Sequence, residues 1–248
     1  MPTPSDPRPR VFMTMPHYGQ VHADAAAAFH LRPTLGGVRI ARHFSPSSSV
    51  LEHTFNICLM AALDARDNGE ADLFVMLHSD VAPLHAGWVD VLARRLAEER
   101  ATVVSAVVPL KDGSGRTSTA IGLGSDPWGL ARHVLLSDRD AMPETFGPAD
   151  ACDPGSEVLL LNTGCWVADL SHPFWDRCSF RVESRIRREP APGGGTAYTA
   201  EFRPEDWELS RDLQAAGAEI RGTWAVPLRH HGVSNWPSHP DEPGPEAE

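Results

Sequence analysis

Leu73-Phe74-Val75-Met76-Leu77-His78-Ser79-Asp80-Val81-Ala82-Pro83 is the stretch that decides the fold. Five apolar residues in a row, closed by a polar turn and a proline, predict a strand buried on both faces. Such a strand belongs in a sheet covered by helices on both sides. Ligands of open α/β sheets bind at the carboxyl edge of the strands, and Asp80 is a carboxylate at that edge. Asp after a strand is more often a plain turn or cap residue, so the segments around it carry the weight.

Upstream, residues 11–15 predict a short buried strand ended by Pro16, residues 23–31 an Ala-rich helix, and residues 38–44 a second strand. Residues 45–49 form a loop rich in N-cap candidates, followed by apolar residues at helical spacing, Leu51, Phe55, Leu59 and Ala62, over 51–65. Downstream, Gly87-Trp88 opens a helix over 88–100 with Val89, Leu92 and Leu96 on one face, and residues 102–108 read as another buried strand. Strands alternating with helices predict a mostly parallel sheet with helices on both faces: a single α/β, Rossmann-like domain.

The second half is less regular. Residues 111–150 are rich in Gly, Pro, Ser and Asp and are expected to be mostly loop. Residues 158–161 and 165–168 read as strands flanking Asn162-Thr163-Gly164, residues 190–195 as a flexible connection, 208–216 as a helix stopped by Gly217, and 220–226 as the final strand. Residues 1–10, with four prolines before position 10, are expected to be a leader, 11–236 the domain, and the acidic stretch 237–248 a disordered tail.

Composition narrows the classes. The 248 residues, 42% apolar, suffice for one substantial core. An uninterrupted apolar run of about 18 residues is missing, so no membrane span is expected. The N-terminus has no apolar stretch after its basic residues and does not read as a secretory signal. Cys58, Cys152, Cys165 and Cys178 fit no zinc spacing and read as reduced thiols of a cytoplasmic protein. A net charge of −11 argues against a protein built chiefly to grip nucleic-acid phosphates. Locally the balance reverses: Arg177, Arg181, Arg185, Arg187 and Arg188 stand against Glu183, as either a solvated face or a patch for a phosphate-bearing acceptor. Lys111 is the single lysine and a poor Schiff-base candidate, and Gly122-Leu123-Gly124 lacks the third glycine of a dinucleotide fingerprint. Oligomeric state is not legible.

Five segments in order carry a resemblance. They are Met15-Pro16-His17-Tyr18-Gly19 after strand one, Phe55-Asn56 on the second helix, His78-Ser79-Asp80, Asn162-Thr163-Gly164, and Pro204-Glu205-Asp206-Trp207 with His230-His231-Gly232 beyond the last strand. Together they resemble a GT-A glycosyltransferase of the family 2 type, especially small phage-encoded members, over roughly residues 11–232. The resemblance implies sugar transfer from a nucleoside-diphosphate sugar, a UDP-sugar by preference, with residues 11–110 as the donor half and 111–236 as the acceptor half. It implies that Pro16, His17, Tyr18, Asn56, His78, Ser79 and Asp80 border the donor, with His78-Ser79-Asp80 in place of Asp-x-Asp and Phe55 where the family has Arg. Asn162, Thr163, Gly164 and Trp207 would face the acceptor.

The chemistry of such a transfer stands on its own terms. Departing phosphates gather negative charge, which a divalent cation stabilises. Mn²⁺ or Mg²⁺ prefers carboxylate oxygen, and Mn²⁺ also accepts imidazole. Asp80 offers the first, His230 or His231 the second, and His78 either binds metal, meets phosphate or is a hydrogen-bonded strand-end histidine. The resemblance assigns the general base to Asp206, with Glu205 beside it, although both also suit a helix start, whose positive end lowers basicity. The likeness to phage-encoded members implies a hydroxymethylated pyrimidine in DNA as acceptor, with Arg185, Arg187 and Arg188 as the groove, and the host cytoplasm as location. A carbohydrate or protein acceptor is the competing enzyme, and a non-catalytic nucleotide-sugar-binding module the competing class. A sugar nucleotidyltransferase would need a Gly-rich basic loop after strand one, which His17-Tyr18-Gly19-Gln20 matches poorly.

Overall fold

The structure, a computed structural model, describes residues 6–191, 193–232 and 235–238. The first half runs β1 (Arg10–Thr14), α1 (Ala23–His30), β2 (Arg39–Phe44), α2 (Leu51–Asp67), β3 (Leu73–Leu77), β4 (Val81–Pro83), α3 (Trp88–Glu98) and β5 (Val103–Ala106). The second half runs β6 (Arg116–Leu123), β7 (Arg132–Leu135), β8 (Thr145–Phe146), α4 (Pro148–Ala151), β9 (Glu157–Leu160), β10 (Cys165–Asp169), β11 (Glu183–Pro190), β12 (Thr196–Arg203), α5 (Glu205–Ala215), β13 (Ile220–Thr223), β14 (Leu228–His231) and β15 (Asn235–Pro237).

Seven strands make the central sheet in the order β2-β1-β3-β10-β5-β13-β8. β2, β1 and β3 pair in parallel, as do β5 and β13, while β10 runs antiparallel between β3 and β5 and β8 is a short antiparallel edge. Period-two alternation divides the core. Val11, Met13, Leu73, Val75 and Leu77 meet α1 and α3 on one face, with Phe29 and Trp88 fully buried there. Phe12, Phe74 and Met76 meet α2 on the other, beside Trp166, Trp175 and Phe180. Each fully buried aromatic or Leu-sized side chain contributes roughly 1.5–3 kcal/mol. The expected mixed α/β domain with helices on both faces of a mostly parallel sheet is what forms.

Several local expectations need correction. The buried stripe of α2 is Phe55, Cys58, Leu59, Ala62 and Ala65, and Leu51 is half exposed at its first turn. Residues 111–150 are not mostly loop: β6 joins β7 and β9 in a three-stranded sheet and β8 edges the central one. The basic stretch and the connection at 190–195 belong to one hairpin, β11 against β12, with Gly193, Gly194 and Gly195 at positive φ in its turn. β13 stops at Thr223, and a further strand, β14, pairs antiparallel with β4. In the expected leader, Arg10 already opens β1, and residues 1–5 and 239–248 lie outside the described residues.

Candidate functional site

Asp80 lies three residues past the end of β3 and directly precedes β4. β4 pairs with β14 in a register that sets Val81 opposite His230, and the His231 N–H donates to the Asp80 carbonyl at 2.7 Å. Successive strand residues point to opposite faces, and the two histidines separate accordingly. His230 turns to Asp80, with Nε2 at 3.6 Å from Oδ2. Its Nδ1 lies 2.7 Å from the Pro109 carbonyl, which can only accept, so Nδ1 carries the proton. His231 turns to α1 instead: it stacks on His22 at 4.7 Å and its Nε2 lies 3.8 Å from Asp24.

The second contact of Asp80 is with a residue that the motifs passed over. Lys111, three residues after the end of the buried 102–108 stretch, forms an ion pair with Asp80 Oδ2. Burial alone would raise the Asp80 carboxyl, but the His230 contact and the nearby His78 and Lys111 outweigh it and hold the group well below the carboxylate range. His78 is pushed the other way: burial lowers it to about 4, so at neutral pH the ring is uncharged. It packs against Phe55 at 4.8 Å between ring centres.

The turn 162–164 ties the two acidic elements together. Because β10 runs antiparallel, its amino end, and with it the turn, lies at the carboxyl edge of β3 and β5. The Gly164 carbonyl accepts the His78 N–H at 2.8 Å, and the Gly164 N–H donates to Asn162 Oδ1 at 2.6 Å. Asn162 Nδ2 in turn donates to Asp206 Oδ2 at 3.3 Å, and Ser105 Oγ donates to the Asn162 carbonyl. Position 164 needs glycine, since a Cβ there would come 2.6 Å from Asn162 Oδ1.

Asp206 sits in the first turn of α5, only 7% exposed, and its Oδ1 accepts the Trp207 N–H at 2.8 Å. Burial, reinforced by Glu205, raises its carboxyl well above the usual range. The expectation that the helix end lowers its basicity is therefore reversed, because desolvation outweighs the helix dipole. Glu205, 8% exposed, is raised as well, by burial and by Glu52. Trp207 is half-buried and donates from Nε1 to the Ser118 carbonyl at 3.0 Å.

Pro16 is buried, His17 half-buried and Tyr18 74% exposed after β1. The Ser79 carbonyl accepts the His22 N–H at 3.0 Å. Among the buried polar atoms with no protein partner are His17 Nδ1, His78 Nε2 and Thr163 Oγ1. All three belong to segments that end at or enter this edge; Thr119, Trp166 and Trp224, in the core, carry such atoms too.

Other expected site residues are engaged by groups of the chain itself. The Asn56 amide is committed on both ends to the Phe180 backbone, donating to its carbonyl at 2.7 Å and accepting its N–H at 2.8 Å. On the β11–β12 hairpin, Arg185 pairs with Glu201, Arg187 with Glu189 and Glu201, and Arg188 donates to Thr196. Arg185 and Arg203 both lie over the Trp128 ring, at 4.2 and 4.5 Å. The arginine patch is thus largely offset by its own carboxylates. The four candidate metal ligands are likewise divided, since His231 faces Asp24 and His78 is packed under Phe55. What remains is Asp80 and His230, with Lys111 on the same carboxylate oxygen, and among the described residues no group of three ligating side chains is arranged for a metal ion. The chain alone thus holds no preformed divalent-cation site, because the Lys111 ammonium already sits on the Asp80 oxygen that a metal would share with His230, and no step below is routed through one. Lys111 and Ser105 are the polar residues that sequence reasoning did not assign to the site. The isolation of Lys111 as the single lysine was the signal available for it.

No family model and no curated protein matches the chain. Among solved structures, A197 from STIV is similar, with a TM-score of 0.51 at 13% identity, covering 90% of this chain and 86% of that one. A protein provisionally assigned as a UDP-N-acetylglucosamine pyrophosphorylase from Entamoeba histolytica matches at a TM-score of 0.31 and 8% identity, covering 65% of this chain and 39% of that one. The first likeness is one of fold. Among the described residues no helix is long and apolar enough to cross a membrane.

Proposed function

We propose that the protein is a glycosyltransferase, moving a sugar from a nucleoside-diphosphate sugar to an acceptor hydroxyl. The observation that carries this reading is the hydrogen-bonded run from Asp206 through Asn162 and Gly164 to His78, two residues from Asp80. It links a raised, buried carboxyl to the carboxyl edge of the sheet, where such folds take nucleotides.

In this reading Asp206 is the general base. A carboxyl raised by burial is closer to working pH and a stronger base than an exposed one. It removes the acceptor hydroxyl proton as that oxygen bonds to the anomeric carbon. The bond from that carbon to the β-phosphate oxygen breaks, its electron pair stays on the phosphate, and the nucleoside diphosphate leaves. His78, uncharged at neutral pH, and Thr163 are polar groups for donor or acceptor hydroxyls. Asn162 orients the base from the turn.

The test is release of nucleoside diphosphate from UDP-, GDP-, ADP- and dTDP-sugars. Oligosaccharides, hydroxyl-bearing peptides and hydroxymethylated-pyrimidine DNA are offered in parallel as acceptors. Release with at least one pair is expected, with Asp206→Asn slower by about a hundredfold or more. Wild-type turnover in that variant, or no release with any donor, overturns the reading.

A further inference from the structure

Three observations converge on Lys111, a residue given no role above. Its ammonium is paired to Asp80 Oδ2, the same oxygen that His230 Nε2 faces at 3.6 Å. Its stem lies over Gly232, where a Cβ would come 3.1 Å from Lys111 Cδ and 3.5 Å from its Cβ and Cγ, so the missing side chain at 232 makes room for it. Its backbone is fixed from the same segment that orients His230, because Pro109 accepts the His230 Nδ1 proton and Leu110 donates to the Arg116 carbonyl at 2.8 Å. The lysine is therefore aimed at the end of β3 by a turn, a glycine and an ion pair together.

Charge bookkeeping gives this a consequence. Asp80 is anionic and would repel a diphosphate at the edge where it must bind. Lysine is a compact, strongly hydrated point cation on a flexible stem, able to hold a carboxylate and a phosphate at once. Every other basic residue apart from histidine is arginine.

Resting on the glycosyl-transfer reading, we propose that Lys111 is the cation that meets the donor diphosphate at Asp80, in the place where a divalent metal ion would otherwise stand. Asp80 then serves to hold the ammonium rather than to ligate a metal. Lys111 also faces the oxygen on which charge collects when the sugar departs.

The experiment is calorimetric titration of the full chain with UDP, GDP, ADP and dTDP, once with excess EDTA and once with Mn²⁺, for wild type, Lys111→Met and Lys111→Arg. Lys111 is exposed, and circular dichroism checks that each variant is folded. At least one diphosphate is expected to bind wild type equally well in EDTA and in Mn²⁺. Lys111→Met is expected to bind it about tenfold or more weakly, a loss of about 1.4 kcal/mol. Lys111→Arg, which keeps the charge, is expected to fall between. Binding to wild type that appears only with Mn²⁺, or unchanged affinity in Lys111→Met, overturns the role of Lys111 and leaves the transferase reading standing. No binding of any diphosphate under either condition overturns both.

Discussion

Replacing Asp206 by Asn separates what burial costs this protein from what it supplies. The carboxyl is 7% exposed and raised well above 3.8 by burial and by Glu205. A raised carboxyl binds its proton more tightly in the folded state than in the unfolded one. Wild type therefore loses stability as pH climbs from the unfolded value through the folded one, and bears the full penalty above it. Each unit of elevation is worth about 1.4 kcal/mol. Asparagine carries no such penalty, but it leaves one contact unmade. Asn162 Oδ1 is held by the Gly164 N–H, so Asn162 can offer position 206 only its amino group. Whichever way the new amide turns, an N–H faces an N–H, either at Asn162 or at Trp207. That fixed cost is about 1–3 kcal/mol and does not vary with pH. Melting temperatures of both proteins from about pH 4 to pH 8 test this, at about 2–4 °C per kcal/mol for a chain of this length. The variant-minus-wild-type difference should start negative at the acid end, rise with pH and then level. A difference that stays flat or falls with pH would refute the assignment of a raised carboxyl to Asp206.

Other perturbations follow from the same contacts. Asn56→Ala removes both hydrogen bonds to Phe180 and should lower stability by about 1–3 kcal/mol while leaving UDP affinity unchanged; weaker UDP binding at equal stability would return Asn56 to the donor cleft. Burial pushes the Cys58 thiol up to about 12, so iodoacetamide at about pH 8 should leave it unmodified until urea unfolds the chain, and rapid native labelling would contradict its burial. Trp128→Ala removes the ring under Arg185 and Arg203, two contacts of about 0.5–1 kcal/mol each. Amide exchange should then quicken across β11 and β12, and unchanged protection would deny Trp128 that supporting role.

The first half of the chain was legible because its signals are local. The run 73–77 and the apolar spacing of α2 and α3 announce buried strands and amphipathic helices without reference to anything distant. The second half hides its structure in long-range pairing. β11 reads Glu-Ser-Arg-Ile-Arg-Arg-Glu-Pro and looks like a solvated charge run, and only its register with β12 makes it a strand. β9 and β10 were both visible around Asn162, yet nothing local says that they join different sheets. The same holds for the site. Asp80 and Asp206 stand in recognisable local settings. The choice of His230 over His231 depends on the β4–β14 register, and the Asp80–Lys111 pair depends on two strand ends meeting at one edge. Asn56 uses both ends of its amide on the Phe180 backbone, and a backbone-bridging amide and a cleft amide look alike in sequence.

The antiparallel insertion of β10 has an architectural consequence. The chain leaves the central sheet after β5 and re-enters at β10, and these strands are immediate neighbours, with Trp166 opposite Ser105. Apart from the short edge strand β8, everything between them is an excursion whose two roots adjoin. Doubling the length of such an excursion costs only about 0.6 kcal/mol of closure entropy. Insertions there are therefore cheap in closure entropy wherever they spare Lys111, the turn 162–164 and the core residues Ile121, Val134 and Leu159.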